Sequence, residues 1–246
     1  MGTGPWFSWH WVTQNAGALR SAFGEHVVLT VLAVGIGLAI SFPIALLGRA
    51  HPRLQTPIFG VTGLLFAIPS LALFAMLVPI TGLSTTTAEI GLVSYTLLIL
   101  VRNIVAALEG VPPEVRDAAE GMGLGPRRQL LTVELPLALP GIMAGIRIAT
   151  VTTVGLVTVT GLIGQGGFGH LINDGLENGF RDEVVAGAVL SVAFAAVADG
   201  LLVGAQWLLT PWSHTRRRAR RAQRDTDPGR RVAADGDGAR TLPAAG

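Results

Sequence analysis

Few residue types in this chain of 246 residues can perform chemistry. It contains no cysteine and no lysine, so all 18 basic residues are arginines. Without cysteine, disulfides, thiolate metal sites and cysteine nucleophiles are excluded. A Walker A loop needs a lysine to reach the β- and γ-phosphates of ATP, and protein kinases need one as well. We therefore expect no ATP hydrolysis by either route in this chain, and any such energy must come from a partner.

One glycine-rich segment has the spacing of a dinucleotide-binding loop. Residues 164–169 are Gly-Gln-Gly-Gly-Phe-Gly, which matches GxGxxG. That loop requires a strand before it and a helix after it within a βαβ unit, whereas a long apolar segment precedes it here. We interpret the segment as a mobile loop instead.

The sequence also lacks the residue groupings that metal binding and acid–base catalysis require. The five histidines are scattered without ligand spacing, so we predict no metal site. The apolar segments contain no His/Asp group or paired carboxylates that could act as acid and base, which argues against a membrane-embedded enzyme.

The composition indicates a protein that crosses a membrane several times. Half of the residues are hydrophobic and 14% are charged, compared with about 25% charged in soluble domains. Five segments are long and apolar enough to cross a hydrocarbon core of about 30 Å. Since backbone groups in lipid must pair within their own segment, each should be a helix, and the predicted fold class is all-α. The predicted spans are residues 27–48, 57–80, 89–108, 141–163 and 184–209.

The arginines predict the orientation of these spans. Arginines follow the first span, lie between the third and fourth, and are dense after the fifth, whereas residues 81–88 contain none and residues 165–183 only Arg181. The positive-inside rule then places the N-terminus outside and the C-terminus in the cytoplasm, as five spans require.

Three regions are expected along the chain. Residues 1–26 contain tryptophans that suit a membrane interface, and residues 27–209 form the transmembrane domain. Residues 210–246 are an arginine-rich segment that we expect to be disordered in the cytoplasm. Its expected role is to anchor on anionic lipid of the bilayer rather than to bind nucleic acid.

The long cytoplasmic connection, residues 109–140, has the most informative pattern. Pro113 is well placed as the first residue of a helix, and Gly121 and Gly123 can end it after little more than two turns. A second short helix can begin at Pro126. Small side chains on the first helix would let the surface of a partner approach closely.

This connection resembles the EAA loop of ABC-importer permeases, whose pattern is Glu-Ala-Ala, three residues, Gly, nine residues, Ile, one residue, Leu-Pro. Two departures, Asp for Glu and Val for Ile, keep charge and shape. The matching residues are Asp117, Ala118, Ala119, Gly123, Val133, Leu135 and Pro136. The resemblance implies a coupling helix that seats in a cleft of a separate ATPase subunit, which would hold ATP and Mg²⁺. This chain would need no cofactor of its own.

The resemblance also implies the rest of the assembly. We expect the type I ABC-importer permease fold in the cytoplasmic, or inner, membrane. A second copy of the chain or a homologous permease would complete the path, and an extracytoplasmic solute-binding protein would deliver the solute. The chain itself would be a transport subunit rather than an enzyme.

Further segments resemble the glycine betaine, carnitine and choline permeases, namely residues 67–73, 102–103, 145–151 and 162–169. This resemblance implies a path for a quaternary ammonium osmolyte. A permease for methionine or another amino acid is the alternative. An ion-coupled secondary transporter is disfavoured, since five spans without an internal repeat and one intramembrane carboxylate do not suit it.

Six residues are candidates for the path or its gate. Gly166 and Gly167 belong to the glycine-rich segment, which we expect to be a mobile loop at the outer mouth of the path. Pro69 should kink the second span because it removes a backbone donor, and Ser70 could satisfy a freed carbonyl or line the path. Asn103 ends the third span beside an arginine. Asp199 lies inside the fifth span and must face protein or water. It could pair with an arginine, be protonated, or touch the permeant cation, whereas Arg147 is expected to reach the interface.

Overall fold

The computed structural model describes residues 8–212, and within this part of the chain every regular element is helical. The predicted all-α fold is thereby confirmed. The described residues fall into two units, one ending at Gln206 and one beginning at Trp207, and the packing below is that of the first. The first seven residues, and all but residues 210–212 of the predicted arginine-rich tail, lie outside the described part.

Ten α-helices of very different lengths make up the described part of the chain. They are α1 (Trp9–Gln14), α2 (Ala16–Ala50), α3 (Pro52–Ala67), α4 (Ser70–Thr81), α5 (Thr85–Glu109), α6 (Pro113–Gly121), α7 (Pro126–Gln129), α8 (Leu135–Val159), α9 (Phe168–Asn178) and α10 (Arg181–Leu209). A π-helical turn, Leu130–Glu134, joins α7 to α8, and a 3-10 turn, Thr160–Ile163, follows α8. Length and apolar composition make α2, α5, α10 and the continuous stretch Pro126–Ile163 candidate spans, and α3 with α4 forms a fifth if the bent pair counts as one.

The helix that contains the first predicted span begins before residue 27. Residues 16–26, expected to belong to an interfacial segment, are helical and continuous with the rest of α2. Arg20 and Glu25 lower the mean hydropathy of this segment, so the apolar stretch used to predict the span begins only after them. Neither residue breaks a helix, and no proline lies between Ala16 and Phe42, so the helix runs on beyond the apolar stretch.

The second predicted span is broken at Pro69 rather than merely kinked. The axes of α3 and α4 differ by 90°, and the backbone at Ile68 and Pro69 is extended, with ψ angles of 127° and 132°. Proline removes a helical donor and favours an extended residue before it. The Tyr95 hydroxyl of α5 donates to the Ile68 carbonyl. The Ile68 carbonyl at the break is thus satisfied by Tyr95.

Helix α5 lies at the centre of the packing. It contacts α2, α3, α4 and α8, and Leu100 in its middle is fully buried. Glycines let the neighbouring helices approach, with Gly37 of α2 against Thr96 and Gly145 of α8 against Asn103. Small residues at such crossings are typical of membrane helices, where close backbone contact replaces hydrophobic burial.

Gly37→Val should therefore destabilise the chain. A Cβ at this position would lie 2.9 Å from the Thr96 Cβ, so α2 and α5 must separate. Overpacking of this kind costs about 1–3 kcal/mol, and the thermal midpoint of the detergent-solubilised protein should fall. Gly35 lies on the same helix with no atom within 4 Å of its added Cβ, which makes Gly35→Val the matched control. Equal losses in both variants would contradict the close crossing.

Candidate functional site

The connection between α5 and α8 folds as the sequence predicted. α6 begins at Pro113 and ends at Gly121, and α7 begins at Pro126. Gly123 has a φ of +78°, in the left-handed region that glycine adopts without a Cβ penalty. The Leu124 N–H donates to the Ala119 carbonyl at 3.1 Å, which satisfies an acceptor at the end of α6. A tight glycine turn therefore sets α6 against the start of α7.

The two motif alanines of α6 point in different directions. Ala118 is exposed together with Asp117 and Glu114, whereas Ala119 is 1% exposed and packs within the chain. From the sequence both alanines were expected to offer one small surface to a partner. Only Ala118 does so, because neighbouring residues on a helix point about 100° apart.

An exposed methionine extends this face. Met122, directly after α6, is 73% exposed between two glycines. It was not selected from the sequence, although an apolar side chain within a polar, glycine-rich turn was a usable signal. We call the exposed side chains of Glu114, Asp117, Ala118 and Met122 the α6 surface. It offers a partner two carboxylates, a small residue and one apolar side chain.

The remaining motif residues connect this surface to a span. Val133 lies in the π-helical turn, and Leu135 and Pro136 begin α8. All three are partly buried, and Leu135 packs against the core cluster around α5. A π-helical turn is rare and often lies at functional sites. These residues therefore link the connection to the span, and their part in coupling to an ATPase stays a prediction.

A buried carboxylate within the motif was not selected from the sequence. Glu134 is 4% exposed and forms an ion pair with Arg49 at the end of α2. The Arg116 Nε of α6 lies 3.8 Å from its Oε2, and the Gln129 amide donates to its Oε1 at 3.1 Å. The two arginines had been assigned to membrane orientation alone. In the structure they also compensate a buried negative charge.

Asp199 pairs with an arginine, one of the three roles that the sequence left open. The Arg147 Nε and Nη2 donate to its two carboxylate oxygens at 2.7 and 2.9 Å. This bidentate geometry makes arginine–carboxylate pairs strong. Arg147, expected to reach the interface, binds α10 instead. Because only three residues of α10 are buried, this pair is a major tie between α8 and α10.

The other candidate path residues have separate contacts. Pro69 and Ser70 lie at the break between α3 and α4. Asn103 donates to the Ile99 carbonyl of its own helix at 2.7 Å and lies against Gly145 of α8. Their role in a path stays a prediction, as does that of Asp199.

The glycine-rich segment is packed tightly rather than free to move. Gly166 and Gly167 are buried, with φ angles of +115° and +54°. The Gly166 N–H donates to the Glu25 carboxylate at 2.8 Å. A Cβ on Gly167 would lie 2.8 Å from the backbone nitrogen of His26. The expected mobile loop is therefore not what the structure shows, because the backbone of α2 lies directly against it. A 3-10 turn precedes the segment, whereas a dinucleotide-binding loop would follow a strand.

Like Asp199, Glu89 lies inside a candidate span. Glu89 was placed at the edge of the third predicted span, but α5 begins at Thr85, so Glu89 lies inside it. Both of its oxygens are buried, and neither has a hydrogen-bond partner among residues 8–212. Glu89 was not selected from the sequence, because the predicted third span begins at residue 89 itself.

Known proteins resemble this chain in sequence and in fold. Residues 34–205 match the family described as the binding-protein-dependent transport system inner membrane component. The osmoprotectant import permease protein OsmW of Salmonella typhimurium is 38% identical over 207 residues, 82% of this chain and 96% of that protein. The choline transport system permease protein OpuBB of Bacillus subtilis is 33% identical over 197 residues, 80% of this chain and 91% of that protein.

Solved structures share the fold at lower identity. A structure of the MetNI methionine ABC transporter in an inward-facing conformation matches with a TM-score of 0.74 and 21% identity, covering 80% of this chain and 98% of that one. At this identity the likeness shows the fold alone.

Proposed function

Because this chain belongs to the family of binding-protein-dependent transport system inner membrane components, we propose that it forms part of the path of an ATP-driven importer for a quaternary ammonium osmolyte. Glycine betaine, choline, carnitine and proline betaine are the candidate solutes. The observation that carries the proposal is the 38% identity to an osmoprotectant permease over 96% of its length. The relative named for choline supports the same solute class.

A separate ATPase subunit would supply the energy. The chain lacks lysine and hence a Walker A loop, so ATP and Mg²⁺ would be held by the partner. The exposed α6 surface is the proposed docking site, because it combines a small residue with carboxylates and an apolar side chain on a short helix that has one buried residue. The arginine pattern supports a cytoplasmic position for this surface and an outside N-terminus, in a cell whose inner membrane would hold the chain.

Two further proteins complete the proposed importer. A second copy of the chain, or a homologous permease, would form the other side of the path. An extracytoplasmic solute-binding protein would select the solute and deliver it. Quaternary ammonium groups are held tightly by stacked aromatic faces, and aromatic residues make up only 6% of this chain. That composition supports a weakly binding passage and leaves selection to the binding protein.

Methionine import is the alternative, and the structure adds little in its favour. The methionine transporter matches at 21% identity, which supports a shared fold and no more. The relatives above 30% identity named here carry osmoprotectant or choline in their names. We therefore keep the osmolyte as the proposed solute.

Uptake by the reconstituted importer tests the proposal. The chain, its ATPase and its binding protein are placed in proteoliposomes, and ATP-dependent uptake of labelled glycine betaine, choline, carnitine and methionine is compared. We expect at least one quaternary ammonium compound to enter about tenfold faster than methionine, a discrimination within the range of a specific site. A non-hydrolysable ATP analogue is the control. Uptake of methionine alone would refute the solute class, and uptake without the ATPase would refute the ATP-driven importer.

A further inference from the structure

Three segments of the chain meet at the carboxylate of Glu134. Glu134 itself belongs to the π-helical turn that leads into α8, Arg49 lies in the last turn of α2, and Arg116 lies in the middle of α6. Their side chains are 6%, 21% and 29% exposed, respectively. One buried acid therefore joins the ends of two candidate spans to the helix that carries the α6 surface.

The contacts of this cluster are unequal. Glu134 is ion-paired with Arg49, and it accepts a hydrogen bond from Gln129 at 3.1 Å. The Arg116 Nε is buried without a hydrogen-bond partner among the described residues, 3.8 Å from the Glu134 Oε2. A hydrogen bond would form if that distance fell to about 3.0 Å. Another nitrogen of Arg116, Nη2, donates to the Leu108 carbonyl at 2.6 Å.

Helix α6 has little other attachment to the spans. Ala119 is the only buried residue among its nine, so hydrophobic packing alone holds it weakly. Arg116 reaches from α6 to the end of α5 and to Glu134, and Glu134 continues to α2. The polar contacts of Arg116 and Glu134 are thus the main side-chain connection of α6 to α5, to α2 and to the turn before α8.

We propose that Glu134 is a positioning residue that passes movement of α6 to α2 and α8 through Arg116 and Arg49. The inference rests on the proposed function, because an ATPase must move α6. A small shift of α6 closes or opens the Arg116 contact, and the buried carboxylate pulls the ends of α2 and α8 with it. Without this carboxylate the ATPase still docks and hydrolyses ATP, but the spans do not follow.

Glu134→Gln in the complete importer tests this role. The variant keeps the size of the side chain and removes its charge, leaving two arginines without their carboxylate. We expect the number of solute molecules taken up per ATP hydrolysed to fall at least about tenfold, since removing one member of a buried ion pair has large effects. The amount of ATPase subunit that copurifies should not change. Glu109→Gln is the matched control, because Glu109 is an exposed acid at the end of α5 that bonds Gln55 at 2.8 Å.

A double-mutant cycle separates this role from general stability. Arg116→Gln alone should also lower the solute-to-ATP ratio. If both residues act through one contact, Arg116→Gln combined with Glu134→Gln should be no worse than the more damaging single variant. Should Glu134→Gln fail to accumulate, the ratio measured for Arg116→Gln decides, and an unchanged ratio there overturns the proposal.

The outcomes distinguish this inference from the proposed function. Loss of the copurifying ATPase, or uptake and hydrolysis falling in proportion, would make Glu134 a merely structural residue and overturn the inference. A wild-type importer that takes up no solute with ATP would instead defeat the proposed function. A normal wild type and a lowered ratio in both variants, with Glu109→Gln unchanged, supports the transmitting role.

Discussion

Ala118→Trp should abolish ATP-dependent uptake, by at least about a hundredfold, as expected for disruption of a central residue of an interface. Ala118 lies on the exposed face of α6, where a large ring keeps a partner at a distance without entering the buried side of the helix. The chain should still reach the membrane in normal amounts. Uptake in proteoliposomes and copurification of the ATPase subunit measure the two effects separately.

The neighbouring alanine supplies a matched control for this result. Ala119 is 1% exposed, so Ala119→Leu should overpack the contact of α6 with its own chain and cost about 1–3 kcal/mol of stability. Its loss of uptake would follow a loss of folded protein. Ala118→Ser, a small change on the exposed face, should remain active. Normal uptake and normal copurification in Ala118→Trp would contradict docking at the α6 surface.

Local rules were enough to predict the two short helices. Pro113 and Pro126 begin helices because proline lacks the N–H that a first helical turn leaves unpaired. Gly121 ends α6, and Gly123 adopts a positive φ because glycine has no Cβ to oppose the left-handed conformation that follows many helices. Which side of α6 is covered depends instead on how α6 packs onto the turn before α8. The difference between Ala118 and Ala119 was therefore not readable from the sequence.

Hydropathy found the long helices but misjudged their ends. Arg20 and Glu25 continue α2 as a helix although they reduce its apolar character. Pro69 predicted a disturbance, but the 90° angle between α3 and α4 requires the extended backbone at the break and the hydroxyl of Tyr95 against it. Apolar composition locates a span, whereas packing against α5 decides its course.

For the charged residues, too, the sequence predicts where they lie along the chain but not which residues they contact. Counting arginines per loop predicts orientation, because that rule depends on number and not on partners. Pairing depends on residues far apart in the sequence, such as Arg147 with Asp199 and Arg49 with Glu134. The sequence left an arginine partner open for Asp199 but carried no signal for which arginine it is, and none for the pair of Arg49 with Glu134. The cluster around Glu134 and the tie between α8 and α10 thus emerged only from the structure.

Asp199→Asn should deplete the folded protein, because it leaves Arg147 unpaired within a candidate span. An intramembrane charge without a partner is disfavoured, and we expect the amount of monodisperse protein extracted from membranes to fall at least about threefold. Removing both charges, in Arg147→Gln combined with Asp199→Asn, should recover much of that loss, since no isolated charge remains. Size-exclusion chromatography of the solubilised chain measures both.

The matched control for this loss is Asp174→Asn. Asp174 lies in α9 with a side chain 37% exposed, compared with 34% for Asp199, and its partner His170 is 3.3 Å away. Removing its charge should leave the yield unchanged, because no arginine depends on it inside a span. If Asp199 instead touches the permeant cation, Asp199→Asn would accumulate normally and raise the KM for uptake. That result would contradict the structural role and return Asp199 to the path, whereas a low yield rescued by the double variant establishes the tie between α8 and α10.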